Sequence, residues 1–154
     1  MRLPSMTLRD LARREVETAS VESTLAACAQ KMRRAHVGCL VVAEPAGALM
    51  KPLGMLTDRD IVVEAVAPGL DPATLTAGDV MSRPVATVTL DEDLLDALST
   101  MRERGVRRLV VTDADGMLAG LVSVQDVLTA LSQQMDALVG VLNAQQVKEA
   151  TTRP

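Results

Sequence analysis

The chain has 154 residues, enough for one ordinary domain or two small ones around a buried core. Apolar residues make up 48% and charged residues 23%, a globular balance, and the net charge of −4 argues against broad electrostatic capture of nucleic acid. Phe, Trp and Tyr are absent, so a planar ligand has to be gripped by aliphatic side chains, arginine planes and backbone rather than stacked on aromatic rings. Two cysteines (Cys28, Cys39) and a single His36 exclude a disulfide framework and a His-rich metal site. No apolar run approaches the ~18 residues of a membrane span. The first residues, Met1–Ser5, lack the apolar stretch of a signal peptide, which points to a cytoplasmic, reduced protein.

In chain order, the first β-rich stretch lies near Val16–Thr18. Leu25, Cys28, Ala29 and Met32 follow at i, i+3, i+4, i+7 and predict a helix. Cys39-Leu40-Val41-Val42 reads as a strand, Ala43–Leu53 as a long loop holding Pro45, Gly47 and Pro52, and a further strand ends at Leu56 before a helix begins at Thr57. Pro68-Gly69-Leu70-Asp71-Pro72 breaks the chain. Beyond it come a β-rich stretch at Val85–Val88, a helix marked by Leu94, Ala97, Leu98 and Met101, a strand Arg108–Val111, and a turn at Asp113–Gly116. A strand ending at Val122 and a helix from Ser123 complete that series. Met135, Leu138, Val139 and Leu142, widened by Val141, then mark a separate amphipathic helix over 134–150, with residues 151–154 frayed.

This series is one unit written twice. At an offset of 69, positions 7–42 lie over 76–111 with 12 identities in 36, where chance gives roughly two or three. They include Thr7/Thr76, Asp10/Asp79, Val16/Val85, Met32/Met101 and Val41/Val110. The offset then falls to 66, because the first copy has the longer loop. Each copy reads β-α-β-β-α and leaves one sheet face uncovered, which two tandem copies cover by packing sheet to sheet about a pseudo-two-fold. The expected organisation is an α/β (α+β) pair: 6–67 as repeat 1, 68–75 as linker, 76–132 as repeat 2, and 133–150 as the C-terminal helix.

Two motifs of the form hydroxyl-x-x-carboxylate stand at strand-to-helix junctions, Thr57-Asp58-Arg59-Asp60 and Ser123-Val124-Gln125-Asp126. One explanation is a helix cap, similar to a capping box with Asp in place of Glu, worth ~1 kcal/mol. The other is a ligand site, in which free N–H groups at a helix start attract phosphate, the hydroxyl donates to it, and the carboxylate accepts from a ribose diol. Gly54 and Gly120, just upstream, allow close backbone approach. Arg13, Arg14, Arg33, Arg34, Arg102 and Arg104 flank or end predicted helices, where a cation faces solvent or favours the C-terminal dipole. Arg107 and Arg108, at the start of a strand, are not explained in that way. His36 reads as a loop residue and Cys28 as core, while Cys39 starts a strand near the expected cleft.

On these residues the chain resembles the cystathionine-β-synthase (CBS) domain family. GMLTDRDIV at 54–62 and GLVSVQDVL at 120–128 look like its G-h-x-[ST]-x-x-D-h pattern, Val106–Val111 like its cleft strand, and Met81-Ser82-Arg83-Pro84-Val85 like its common opening, over about residues 6–132. The resemblance implies a tandem pair, or Bateman module, that commonly dimerises, binds adenosine-containing ligands between the copies, and regulates rather than catalyses. Carried over by position, Ser123 and Asp126 contact phosphate and ribose, Arg107 and Arg108 lie beside the phosphates, and the segment near Arg14 and Val16 closes over the base. The other cleft uses Thr57 and Asp60, with Val37, Gly38 and Cys39 from the strand and Arg83 and Val85 closing it. Glu15 stands where repeat 2 has Pro84, and Gly38-Cys39 where it has Arg107-Arg108, so the Thr57 cleft is expected to hold a charged nucleotide less well.

The implied function is therefore a non-enzymatic, cytoplasmic regulatory homodimer. Its expected ligand is AMP, ADP or ATP, and less so S-adenosylmethionine or NAD, and its output is a shape change passed to a protein client. The alternative is a ligand-free assembly module in which both motifs only cap helices. No nucleophile–base pair, metal cluster or paired catalytic carboxylates support an enzyme, and neither nucleic acid nor membrane is an expected partner. On this reading Asp126→Ala should abolish nucleotide binding more fully than Asp60→Ala.

Overall fold

The structure, a computed structural model, describes residues 7–152, with side chains as far as Glu149. Position 6, the expected start of repeat 1, and 153–154 at the expected frayed end lie outside the described residues. Repeat 1 contains α1 (Leu8–Leu11), β1 (Thr18–Ala19), α2 (Leu25–Ala35), β2 (Cys39–Ala46) and β3 (Leu49–Thr57). It ends with α3 (Asp58–Ile61), which runs into a π-helical turn over Val62–Val66. Repeat 2 contains α4 (Ala77–Val80), β4 (Thr87–Thr89), α5 (Leu94–Arg104), β5 (Arg108–Thr112), β6 (Leu118–Ser123) and α6 (Val124–Thr152). Each repeat builds a three-stranded sheet in which the first strand pairs parallel with the second and the second antiparallel with the third.

The local chemistry of the two copies corresponds element by element. α2 starts at Thr24, whose side chain accepts from the Ala27 N–H, and α5 at Asp93, whose carboxylate accepts from the Leu95 and Asp96 N–H groups. Both helices stop on a left-handed residue, His36 at φ 55° and Gly105 at φ 65°. His36 is thus a C-cap, 69 positions before its glycine counterpart. The apolar stripe of α2 buries Leu25, Cys28 and Met32, and that of α5 buries Leu94, Ala97 and Met101.

Between the sheets, Val41, Ala43 and Val110 are fully enclosed, flanked by Val16, Val85, Met55 and Leu121. Val41 and Val110, Val16 and Val85, and Met55 and Leu121 are related by the repeat offsets, so the contact straddles the pseudo-two-fold. The opening helices are exchanged. Leu8 and Ala12 of repeat 1 belong to the core of repeat 2, with Leu94, Leu109 and Val122. Ala77 and Met81 of repeat 2 belong to the core of repeat 1, with Leu25, Leu40 and Leu56.

Two expectations need correction. Ala43–Leu53 is not a loop: β2 and β3 continue through it to a tight turn at Gly47, φ 64°. A register shift at Val42/Ala43 admits Pro52 opposite Ala43, and beyond it Glu44 and Lys51 form a cross-strand pair at 4.0 Å. Nor is there a break before the C-terminal helix. α6 runs unbroken from Val124 to Thr152, because Ser132-Gln133-Gln134 contains neither Gly nor Pro to stop it.

Candidate functional site

At α3, α4 and α6 the hydroxyl-x-x-acid motif folds as a cap. At α3 the Thr57 hydroxyl accepts from the Asp60 N–H at 3.2 Å, while Asp60 Oδ2 accepts from the Thr57 N–H at 2.8 Å. The remaining N–H groups of this helix start are also engaged. Asp58 N–H donates to the Gly38 carbonyl at 3.0 Å, and Arg59 N–H to Asp58 Oδ1 at 2.8 Å. The free amides expected to attract phosphate are therefore already spent within the chain. A third motif, Thr76-Ala77-Gly78-Asp79, forms the same reciprocal box at α4, away from the Thr57 cleft. What distinguishes Thr57 and Asp60 is their surroundings.

A cleft of about 610 Å³ opens over them. Repeat 1 contributes Met55 and Thr57–Asp60. Repeat 2 contributes its opening segment (Ser82, Pro84, Val85, Ala86) and the end of α5 with the start of β5 (Arg104, Val106, Arg107, Arg108). Ser82 is fixed there by paired backbone bonds, Met55 N–H to Ser82 O at 3.1 Å and Ser82 N–H to Met55 O at 2.9 Å. Gly54 permits this approach, since a Cβ on it would stand 2.9 Å from the Ser82 carbonyl oxygen. The close approach at this glycine is thus made by the chain's own opening segment. Asp60 keeps Oδ1 without a hydrogen-bond partner among the described residues. Arg59, Arg104, Arg107 and Arg108 form no ion pair among the described residues. The cleft joins four unneutralised guanidinium groups to two carboxylates and an aliphatic wall, a composition suited to a phosphorylated ligand with hydroxyl groups and a flat apolar part.

The motif of repeat 2 is in a different condition. Asp126 Oδ2 accepts from the Ser123 N–H at 2.8 Å and from its hydroxyl at 2.6 Å. Asp126 Oδ1 accepts from Arg13 Nε at 2.9 Å and Nη2 at 2.7 Å. Burial pushes the Asp126 carboxyl up, but the Ser123 hydroxyl, the Arg13 guanidinium and the Ser123 amide outweigh it and hold the group below its ordinary value. No oxygen of this carboxylate is left for a diol. Arg13 is held in place as Ser82 is, by bonds to and from Leu121 at 3.0 Å, with Gly120 allowing the approach. Arg13 and Ser82 are counterparts at the offset of 69. The difference between the two carboxylates follows from a long cation in one place and a small hydroxyl in the other.

The expected groupings change accordingly. Arg107 and Arg108 line the cleft of Thr57 and Asp60, although the Arg107 carbonyl accepts from Val124 N–H and Arg108 pairs with Ser123 in the sheet. Val37, Gly38 and Cys39 do not line that cleft. Val37 packs on the repeat 1 core, and Gly38 lies behind Asp58, whose Oδ2 would stand 3.2 Å from a Cβ there. Cys39 is buried. Its burial raises the thiol pKa, as does Asp58, against the lowering charges of Arg108 and Arg13. Val85 lines the cleft, while Arg83 beside it is exposed and outside the lining. Val16 packs between the sheets, and Arg14 donates to the Arg9 carbonyl at 3.1 Å. Sequence reasoning missed Asp58, Arg59 and Ser82, and assigned Arg13 and Arg104 to helix electrostatics; the Arg13/Ser82 pairing in the repeat alignment was the available signal for Arg13.

Comparison with known proteins adds three findings. The sequence model of the CBS domain matches residues 8–66 and 77–133. Among curated proteins, the chain is 37% identical over 124 residues to the uncharacterized protein MK0525 of Methanopyrus kandleri, covering 80% of this chain and 62% of that protein. It is 35% identical to hypoxic response protein 1 of Mycobacterium tuberculosis, covering 82% of this chain and 86% of that protein. A crystal structure of Hypoxic Response Protein I, with two coordinated zinc ions, superposes with a TM-score of 0.68 at 34% identity over 81% of this chain and 98% of that one. Among the described residues here, no group of three or more His, Cys, Asp or Glu side chains is placed to hold a metal ion. The CBS domain protein PAE2072 of Pyrobaculum aerophilum, complexed with AMP, shares the fold with a TM-score of 0.71 at 24% identity, over 83% of this chain and 99% of that one.

Proposed function

The chain belongs to the CBS-domain family, and from that premise we propose that it is a non-enzymatic regulatory module binding an adenosine-containing nucleotide (AMP, ADP or ATP) in the cleft of Thr57 and Asp60. The supporting observation is the set of four unneutralised arginines facing an acid that still has one oxygen to offer. The phosphates meet Arg59, Arg104, Arg107 and Arg108. Asp60 Oδ1 accepts from the ribose hydroxyls, and the base lies among Met55, Val85, Ala86 and Val106. This assignment reverses the ranking expected from local sequence, which favoured Ser123 and Asp126. The AMP complex of the Pyrobaculum relative supports the ligand class.

Binding here would carry information because the walls belong to different repeats. A ligand holding α3 to the 82–86 segment and to the start of β5 favours one relative setting of the two sheets, and shifts the equilibrium by its differential affinity for that setting. A protein client reads that setting. The reciprocal cap at Thr57 and Asp60 favours the ligand-free assembly reading as the alternative.

Titration calorimetry with AMP, ADP, ATP, S-adenosylmethionine and NAD tests the proposal. Asp60→Asn keeps an acceptor for the Thr57 amide but removes the carboxylate, and should weaken adenosine-phosphate binding at least tenfold, whereas Asp126→Asn should leave it nearly unchanged. Failure of every nucleotide to bind the wild-type chain would leave the motifs as caps alone.

A further inference from the structure

A second hollow, of about 360 Å³, lies on repeat 1 between α2 and the β2–β3 hairpin, and shares no lining residue with the cleft of Thr57 and Asp60. Its floor is apolar. Cys28, Leu40 and Ala43 are almost wholly enclosed there, and Pro45 and Met50 of the hairpin form one wall. Ala27, Lys31 and Arg34 form the other, at i, i+4 and i+7 on one face of α2. The early end of β1 leaves this place open. β1 pairs with β2 as far as Ala19 and Val42, whereas β4 continues to Thr89 and Thr112, and Leu90 N–H then donates to the Thr112 carbonyl at 3.1 Å. Among the described residues no such bond joins Val21 to Ala43, the counterparts of Leu90 and Thr112.

We propose that this hollow binds a linear monocarboxylate of medium chain length, with its tail along the hairpin and its head on Lys31 and Arg34. The two ends of the hollow differ in the required sense. Lys31 Nζ donates to the Thr18 carbonyl at 2.6 Å and pairs with Glu17 at 3.2 Å, which holds the ammonium in place and leaves one of its three donors. Arg34, one turn further along α2, forms no ion pair among the described residues. One guanidinium fork and one ammonium donor match the two oxygens of a single carboxylate. Toward the start of α2, Ser20 and Ser23 hydrogen-bond to each other at 3.1 Å, and Ala27, Pro45 and Met50 offer carbon surface to a tail. Ala27 and Arg34 stand seven residues apart, roughly 10 Å along the axis, which is the reach of an extended chain of about eight carbons. The fold itself does not call for these cations, because the counterparts of Ala27, Lys31 and Arg34 in α5 are Asp96, Thr100 and Glu103.

Octanoate titrated into the full chain labelled with methyl-13C methionine tests this. The Met50 methyl resonance, assigned through Met50→Leu, should shift and saturate on the order of 0.1–1 mM, while that of Met55 in the nucleotide cleft stays in place. Octanol and octylamine should bind at least tenfold more weakly. Arg34→Glu, which installs the residue found in repeat 2, should weaken octanoate at least tenfold. Arg33→Glu, the same change of charge on a neighbour outside the hollow, should leave it within twofold. Both exposed helix positions lie outside the cores, so melting should be unchanged in either variant. ATP titrated into Arg34→Glu should bind as to the wild type, so the two sites succeed or fail separately. A Met50 resonance that does not saturate, octanol binding as tightly as octanoate, or equal losses in Arg33→Glu and Arg34→Glu would overturn the proposal.

Discussion

Replacing Arg13 by serine, the residue found at its counterpart position 82, should free Asp126 Oδ1 as Asp60 Oδ1 is free. The substitution removes two donors, Nε at 2.9 Å and Nη2 at 2.7 Å, from Asp126 Oδ1. Exposed ion pairs contribute ~0.2–1 kcal/mol and hydrogen bonds to charged groups ~1.5–3 kcal/mol. The Asp126 side chain is 15% exposed, which favours the upper range, but the Arg13 side chain is 62% exposed and screened by solvent. A loss of about 1 kcal/mol is expected, or roughly 2–4 °C in Tm for a chain of this length. The pH dependence has a definite sign. The native pair and the Ser123 bonds lower the Asp126 pKa, so the stability they supply is present above the unfolded carboxyl's pKa, about 4, and is lost as pH falls through the lower native value. The two proteins should therefore differ at pH 7 and converge well below pH 4. Calorimetric titration with ATP should at the same time show one site per chain in both proteins, because the counterparts of Arg59, Arg104, Arg107 and Arg108 are Gln125, Ala35, Gly38 and Cys39, which offer no cation to phosphate. Identical melting at pH 7, or a second ATP site in either protein, would refute the reasoning.

Other outcomes follow from single contacts. Gly120→Ala places a Cβ 2.9 Å from the Arg13 carbonyl oxygen and 3.0 Å from Ala12 Cβ, and should cost about 1–3 kcal/mol in a thermal melt; Gly140→Ala, with open space around it, should cost nothing and raise the helical circular dichroism. Both cysteines are buried and burial raises both thiol pKa values, so a disulfide reagent at pH 7 should label neither until denaturant is added. Arg107→Ala should weaken ATP more than adenosine, and the difference should shrink with salt, because the lost interaction is with phosphate.

The repeat, its β-α-β-β-α order and the sheet-to-sheet pairing were legible because they rest on periodicity and on 12 aligned identities. The hairpin beyond Val42 was not, since Pro45, Gly47 and Pro52 are breakers in isolation and become tolerable only past a bulge on exposed ribbon. The continuity of α6 was legible in principle, in the lack of any Gly or Pro near Ser132, but a change in apolar spacing looks like a boundary. The composition of the site was legible residue by residue, whereas its grouping was not. Nothing in a single chain tells whether the strand start at Arg107 faces Ser123 of its own repeat or Thr57 of the other, because pseudo-equivalent positions carry the same local pattern. Arg13 illustrates the same limit: its alignment with Ser82 is plain, and its meaning depends on Gly120 drawing that backbone against Leu121.

The exchange of opening helices makes the two halves interdependent in a way their similar sequences conceal. A gene fragment ending in the Pro68–Pro72 break would encode Leu8 and Ala12 without the pocket they fill, and a pocket deprived of Ala77 and Met81. Such a half-protein is the wrong unit to express. Two separately made halves would complete each other only by clasping crosswise, so the module folds as an interlocked whole.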